Sequence, residues 1–121
     1  MTPQAIERDI SLERHRAAID RIDLALVRLL AMRQRRVTAI ADLKTVAADV
    51  RNPGREAQIL RRISAAARRL GLDEAMAILV WREIFRHSAA QQCARLEQRT
   101  ADRRISSVGS TVPLEPYGQP S

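Results

Sequence analysis

Polar side chains that interrupt apolar stripes are the ones with chemistry to offer in this chain. Arg33 falls seven residues after Leu26 and seven before Ile40, in the middle of an apolar seam. It reads as a register-setting residue of a coiled coil, as an arginine that reaches out to water, or as a guanidinium that needs an anion. A buried charge without a partner is too costly to keep. Lys44 lies eleven residues further on. Within one helix that is three turns plus ~20°, so both side chains point the same way, ~16 Å apart along the axis. Each can lean inward, and the space between their heads suits a small dianion. The other reading of Lys44 is a solvated lysine at a helix C-terminus, favourable to the dipole. Arg16 precedes Arg33 by 17 residues, ~25 Å along and ~100° around a helix. The two cannot hold one small ligand within one chain, so Arg16 is a surface arginine or serves a site in a partner chain.

Two further groups stand out. Ser88 and Gln92 are i,i+4 neighbours that continue the stripe of Trp81, Ile84 and Phe85. They cap the edge of a core or line a pocket. Arg55 and Glu56 follow directly on Asn52-Pro53, where a carboxylate also suits the positive end of a helix. Other chemistries find little support. His87 and Cys93 lack metal-ligand spacing, and His15 is far away in sequence. There is no glycine-rich phosphate loop, and no serine has a convincing His/Asp context. We therefore expect neither a metal nor a cofactor.

These side chains need rigid carriers, and the sequence offers helices. From Leu12 through Ile19, Ile22, Leu26, Leu29, Leu30, Val37, Ile40 and Leu43, apolar residues recur at helical spacing. Ser11 can cap this run and Glu13 lies in its first turn. The spacing predicts one helix from about Ser11 to Val46, ~54 Å long. A compact globule of about 100 residues has a radius of gyration of only ~13 Å, so the helix must protrude and bury its stripe against another chain. After a short loop, Ala47 to Asn52, Asn52 at N-cap and Pro53 at N1 start a second helix. Gly71 ends it, with Leu72 as the apolar residue that follows such a glycine. Asp73 caps a third helix that reaches about Arg99. Residues 1–99 form the helical domain. From Thr100 to Ser121, Gly, Pro and Ser accumulate without periodicity, which predicts a disordered or loosely attached tail.

Composition agrees. The chain has 121 residues, 45% hydrophobic, 29% charged and 2% aromatic, with four glycines. That suits one soluble all-α domain and rules out a β-sandwich or barrel. One cysteine allows no internal disulfide. No apolar run approaches a membrane span, and the first ten residues carry no signal-like segment. A cytoplasmic protein is expected. The formal charge is +7, which suggests an anionic partner, either nucleic acid or a small polyanion. Among the 21 Lys and Arg residues, Lys44 is the one lysine. The bias toward arginine suits a GC-rich genome, and a lysine that survives it can mark a place where arginine will not do. The Arg doublets at 35–36, 61–62, 68–69 and 103–104 are interleaved with acids and lack aromatic neighbours, so they read as solvated faces rather than a nucleic-acid surface.

Taken together, these residues resemble the all-helical, dimeric chorismate mutase family, from about Leu12 to Gln92. Arg16-Ala-Ala-Ile-Asp-Arg-Ile-Asp23 and Leu29-Leu30-Ala-Met-Arg33 look like that family's first helix, and Lys44 follows at its interval. Val50-Arg51-Asn52-Pro53-Gly54-Arg55-Glu56 looks like its loop and second-helix start. Ile84-Phe85-Arg-His-Ser88-Ala-Ala-Gln-Gln92 looks like its third-helix signature. The resemblance implies three helices per chain in an intertwined homodimer, with a very long first helix and two equivalent sites. Arg33, Lys44, Asn52, Arg55, Glu56, Ser88 and Gln92 would line one site, and Arg16 would reach into the other subunit's. Asn52 departs from the aspartate common in the family.

The implied reaction is the Claisen rearrangement of chorismate to prephenate, on the route to phenylalanine and tyrosine. It needs no cofactor, proton transfer or nucleophile. The implied roles are carboxylate clamps for Arg16 and Arg33, donors to the ether oxygen for Lys44 and Gln92, a carboxylate contact for Ser88, an acceptor for the C4 hydroxyl at Glu56, and support of Glu56 by Arg55. On the same fold, an isochorismate pyruvate-lyase generally lacks the carboxylate found at Glu56. A mutase of 4-amino-4-deoxychorismate could use Glu56 to accept from an ammonium. Outside the family, the rival is a basic helical dimer that binds nucleic acid. A regulatory partner enzyme is possible for a free-standing mutase.

Overall fold

The computed structural model describes residues 2–44 and 51–110, and among these there are three helices and no strand. α1 spans Pro3–Leu43, α2 Pro53–Leu70 and α3 Glu74–Ser110. No helix among the described residues is long and apolar enough to cross a membrane. The chain divides into two compact units, Met1–Arg36 and Val37–Ser121.

The first unit is the N-terminal part of α1. The helix begins at Pro3 and not after Ser11. Thr2 is the cap: its Oγ1 accepts from the Ala5 N–H at 3.1 Å and its carbonyl from Ile6 at 3.1 Å. Thr2-Pro3 is the same N-cap and N1 pairing as Asn52-Pro53, and nothing between Pro3 and Ser11 breaks a helix. Along this segment Leu12, Ile19, Ile22, Leu26, Leu29 and Leu30 are 47–60% exposed in the single chain.

The second unit holds the last turns of α1 together with α2 and α3. α1 stops at Leu43, short of Val46, and Lys44 is already non-helical. The Lys44 N–H reaches back three residues to the Ala41 carbonyl at 3.2 Å, a tightened final turn. The eleven-residue helical count from Arg33 therefore does not carry through to Lys44. Arg51 and Asn52 are the described part of the expected loop; the rest of it, like residues 111–121 of the expected tail, lies outside the described residues.

α2 begins as its sequence demands. Asn52 is extended (φ −125°, ψ 95°), and its Oδ1 accepts from the Arg55 N–H at 3.0 Å while Pro53 takes N1. α2 ends in a complete Schellman motif. The Leu72 N–H bonds the Ala67 carbonyl at 2.8 Å and the Gly71 N–H bonds that of Arg68 at 3.4 Å. Asp73 then caps α3, its Oδ1 accepting from Ala75 at 3.1 Å. So short a turn brings α2 and α3 side by side, and the buried positions flanking it are small: Ser64, Ala67 and Ala77. Arg68 closes the corner with two bonds to the Glu74 carboxylate, at 2.9 and 3.0 Å. Those bonds hold the Glu74 carboxyl below its ordinary value, with the Arg68 charge and the Ser64 hydroxyl adding to them.

α3 runs past the expected end at Arg99 to Ser110. No glycine or proline interrupts it before Gly109, and Ala101, Arg103 and Arg104 are good helix formers. Packing ends earlier than the helix does. Leu96 is buried and Arg99 half-buried, whereas Thr100 and residues 101–107 are exposed.

Gly71 has φ +75° and open space where a Cβ would project. Gly71→Ala meets no clash and bears only the left-handed backbone cost, about 1–2 kcal/mol. Urea unfolding should show this loss without a change in helix content; an unchanged midpoint would mean that the turn relaxes freely.

Candidate functional site

The last turns of α1 and the middle of α3 line an open pocket of about 360 Å³, walled by Val37, Thr38 and Ala41 on one side and by Gln91, Gln92 and Arg95 on the other. The volume is that of a small-molecule site. At its edge Lys44, the first residue past α1, sends its Nζ to Gln92 Oε1 at 3.1 Å. Both residues are half-buried. An ammonium has donors only, so the amide atom that faces it must be the oxygen. Lys44 therefore fixes which way Gln92 points, and the donor end of the amide, Nε2, is left for a second partner. Ser88, one turn earlier on α3, is half-buried as well.

Contacts from Arg95 and Arg99 of α3 surround this pair. Arg95 donates from Nε and Nη2 to the two carboxylate oxygens of Asp42, at 2.8 and 3.1 Å. Arg99 Nη1 donates to the Ala41 carbonyl at 2.9 Å and, at 3.4 Å, to that of Lys44. It also lies 3.9 Å from Asp42 Oδ1. The hydrogen bonds from Arg95, followed by the charges of Arg95 and Arg99, hold the Asp42 carboxyl below its ordinary value.

The expected site residues of α2 make a second cluster. Glu56 is half-buried in the first turn of α2, and Arg51 takes both its oxygens, Nε to Oε2 at 2.6 Å and Nη2 to Oε1 at 2.7 Å. The residue that holds Glu56 is thus Arg51. Arg55, expected in that part, instead donates from Nη1 to Gln58 Oε1 at 2.7 Å. Asn52 is taken up in capping α2. In the first unit, Arg33 is half-buried on α1, and Arg16 is exposed, its Nη1 3.1 Å from Glu13 Oε1 one turn away.

Sequence reading by stripes missed Arg51, Asp42, Arg95 and Arg99. A signal for two of them was present: Arg95 and Arg99 stand three and seven residues after Gln92, on its own face of α3. Among the described residues, no group of three or more His, Cys, Asp or Glu side chains could hold a metal ion.

The model of a protein family described as chorismate mutase type II matches residues 15–93. No curated protein matches the chain.

The Arg95–Asp42 pair makes stability depend on acid. A carboxyl whose folded value is depressed contributes fully above its unfolded value of about 3.9 and loses that contribution as pH falls through the lower, folded one. Asp42→Asn should therefore unfold at less urea than the unaltered protein at pH 7, with the gap narrowing as pH falls below the unfolded value toward the lower, folded one. A gap that keeps its size as the pH is lowered through that range would show that the charge of Asp42 contributes nothing.

Proposed function

This chain belongs to the chorismate mutase type II family, whose members are isomerases acting on chorismate, and we propose that it converts chorismate to prephenate by clamping the substrate and stabilising charge on its ether oxygen. The observation that carries this reading is the Lys44–Gln92 contact. In a Claisen rearrangement the ether C–O bond breaks as a new C–C bond forms, and the oxygen gains negative charge on the way. No proton is transferred, so the protein's task is to hold the diaxial conformer and to present donors where charge develops. An ammonium next to an amide whose Nε2 remains to donate is such a set of donors.

Arg33 and, from a second copy of the chain, Arg16 are assigned the two substrate carboxylates, and Ser88 supports one of them. The exposed apolar residues of α1, from Leu12 to Leu30, support a homodimer in which a second copy covers them. Glu56 accepts from the C4 hydroxyl, with Arg51 holding its carboxylate and Asn52 capping the helix start that carries it, and Arg55 adds positive charge nearby. The pair of hydrogen bonds from Arg51 to Glu56 favours a hydroxyl over the ammonium of 4-amino-4-deoxychorismate, because a cation already sits on that carboxylate. The carboxylate itself favours a mutase over an isochorismate pyruvate-lyase. The direct test follows loss of chorismate and appearance of prephenate with purified protein, with isochorismate and 4-amino-4-deoxychorismate in parallel.

Shared sites make a mixing experiment decisive. Arg16→Ala and Arg33→Ala should each be nearly inactive, and activity should return on mixing, because a heterodimer carries one site with both arginines. Proven subunit exchange without recovery would remove Arg16 from the partner's site.

Gln92 gives the sharpest test. Gln92→Glu replaces a donor by a group that only accepts when ionised, set against an oxygen that is becoming negative. Only its protonated form restores the donor. The developing charge raises the pKa of the new carboxyl from about 4.3, while Lys44 pulls it down. The variant should be active in acid and lose kcat as pH rises through that pKa, whereas Gln92→Ala is poor throughout, by about 10²–10³ in kcat. A Gln92→Glu enzyme as fast as the parent at pH 8 would take Gln92 away from the breaking bond.

A further inference from the structure

Lys44 stands on the first residue past a helix, where the ladder of α1 no longer fixes the backbone. Its own N–H closes back onto the Ala41 carbonyl in a tightened turn. Arg99 grips this turn from α3. A single nitrogen, Nη1, donates to the same Ala41 carbonyl at 2.9 Å and to the Lys44 carbonyl at 3.4 Å. Arg95 holds one of the two residues between them in sequence, Asp42, through both carboxylate oxygens. Gln92, Arg95 and Arg99 are at i, i+3 and i+7 on α3, so one face of one helix binds the backbone of Lys44, its neighbour and its ammonium together. The family match covers residues 15–93, and Arg95 and Arg99 lie just past the matched residues.

We propose that Arg99 is a positioning residue for Lys44: by bridging the Ala41 and Lys44 carbonyls it fixes the point from which Lys44 reaches Gln92 and the substrate oxygen, with Arg95 steadying the same turn through Asp42. This rests on the role given to Lys44 above. A guanidinium also suits the place electrically, because the carbonyl end of α1 is its negative end. Without Arg99 those carbonyls turn to water and the turn loosens. A displacement of about 1 Å at a reacting group is enough to cost ~10²-fold in rate.

The test uses the full chain, well below its unfolding temperature. Arg99→Ala should lower kcat by about 10- to 100-fold and leave KM nearly unchanged, and Arg99→Lys, which keeps one donor, should recover part of the loss. A loss of general stability would not produce the next result. If Arg99 acts through Lys44, the double variant Lys44→Ala/Arg99→Ala should be no slower than Lys44→Ala alone. An Arg99→Ala kcat within about threefold of the parent, or losses that multiply in the double variant, would overturn the proposal. Hydrogen exchange gives a readout that does not depend on turnover. The Leu43 and Lys44 amides should exchange faster in Arg99→Ala while those of α2 do not, and unchanged exchange at both would equally overturn it. A parent protein that leaves chorismate untouched would instead defeat the functional reading, and the exchange result would still decide whether Arg99 holds the turn.

Discussion

A helix that stops leaves its last carbonyls without partners. The stop of α1 at Leu43 sets that problem directly beside the one lysine of the chain. The last turn also carries a carboxylate, Asp42, whose charge has the wrong sign for the negative end of a helix. α3 answers both. Arg99 supplies a donor and a positive charge to the carbonyls, and Arg95 pairs with Asp42. With the turn so held, Lys44 meets Gln92, and an ammonium that can only donate dictates how the amide faces. The orientation of the group proposed to act on the substrate thus depends on how a helix terminus, one residue away from Lys44, finds its hydrogen bonds.

The parts of this arrangement that were legible in the sequence are those governed by a few adjacent residues. Asn52-Pro53, Gly71-Leu72 and Asp73 mark starts and stops because the chemistry of a cap is local. The same rule was available at Thr2-Pro3, but the apolar stripe begins only at Leu12, and the stripe drew the helix start to Ser11. An exposed segment that propagates from a good cap carries no stripe to announce it. The far end of α3 differs for the mirror-image reason: its packed face ends near Arg99, while the backbone, free of glycine and proline, continues as helix to Ser110. Stripes report packing, and packing and helicity end at different residues.

The candidate site was legible where a polar residue broke a stripe and lines the pocket, as at Gln92. It was not legible where a charged residue took its meaning from a distant partner. Arg95 and Asp42 are 53 residues apart in sequence, and although Arg95 shares a helix face with Gln92, nothing local shows which carboxylate it meets. Several of those arginines serve the fold as well: Arg68 joins the start of α3 to the end of α2, and Arg51 occupies Glu56. A net charge of +7 suggested anionic partners for the chain as a whole. Part of the arginine content is instead engaged with the protein's own carboxylates, which turns the expectation from an extended polyanion toward a small dianion held by particular side chains.

A rearrangement without proton transfer asks for little reactive chemistry and for much positional accuracy. Its donors must stand in place before the bond breaks, since any reorganisation during the reaction adds to the barrier. Lysine is a demanding choice for the duty proposed for Lys44. Its ammonium is a compact donor well matched to a single oxygen, but it sits on a stem of four flexible carbons. A planar arginine would be easier to immobilise and worse at meeting one atom. Keeping lysine at position 44 shifts the burden of order onto its surroundings: onto the backbone beneath it, gripped by Arg99, and onto the amide in front of it. In a chain whose other 20 basic residues are all arginine, the rigid forks of Arg95 and Arg99 lie beside the lysine, where planarity and multiple donors fix a carboxylate and two carbonyls, and the point charge meets a single amide oxygen.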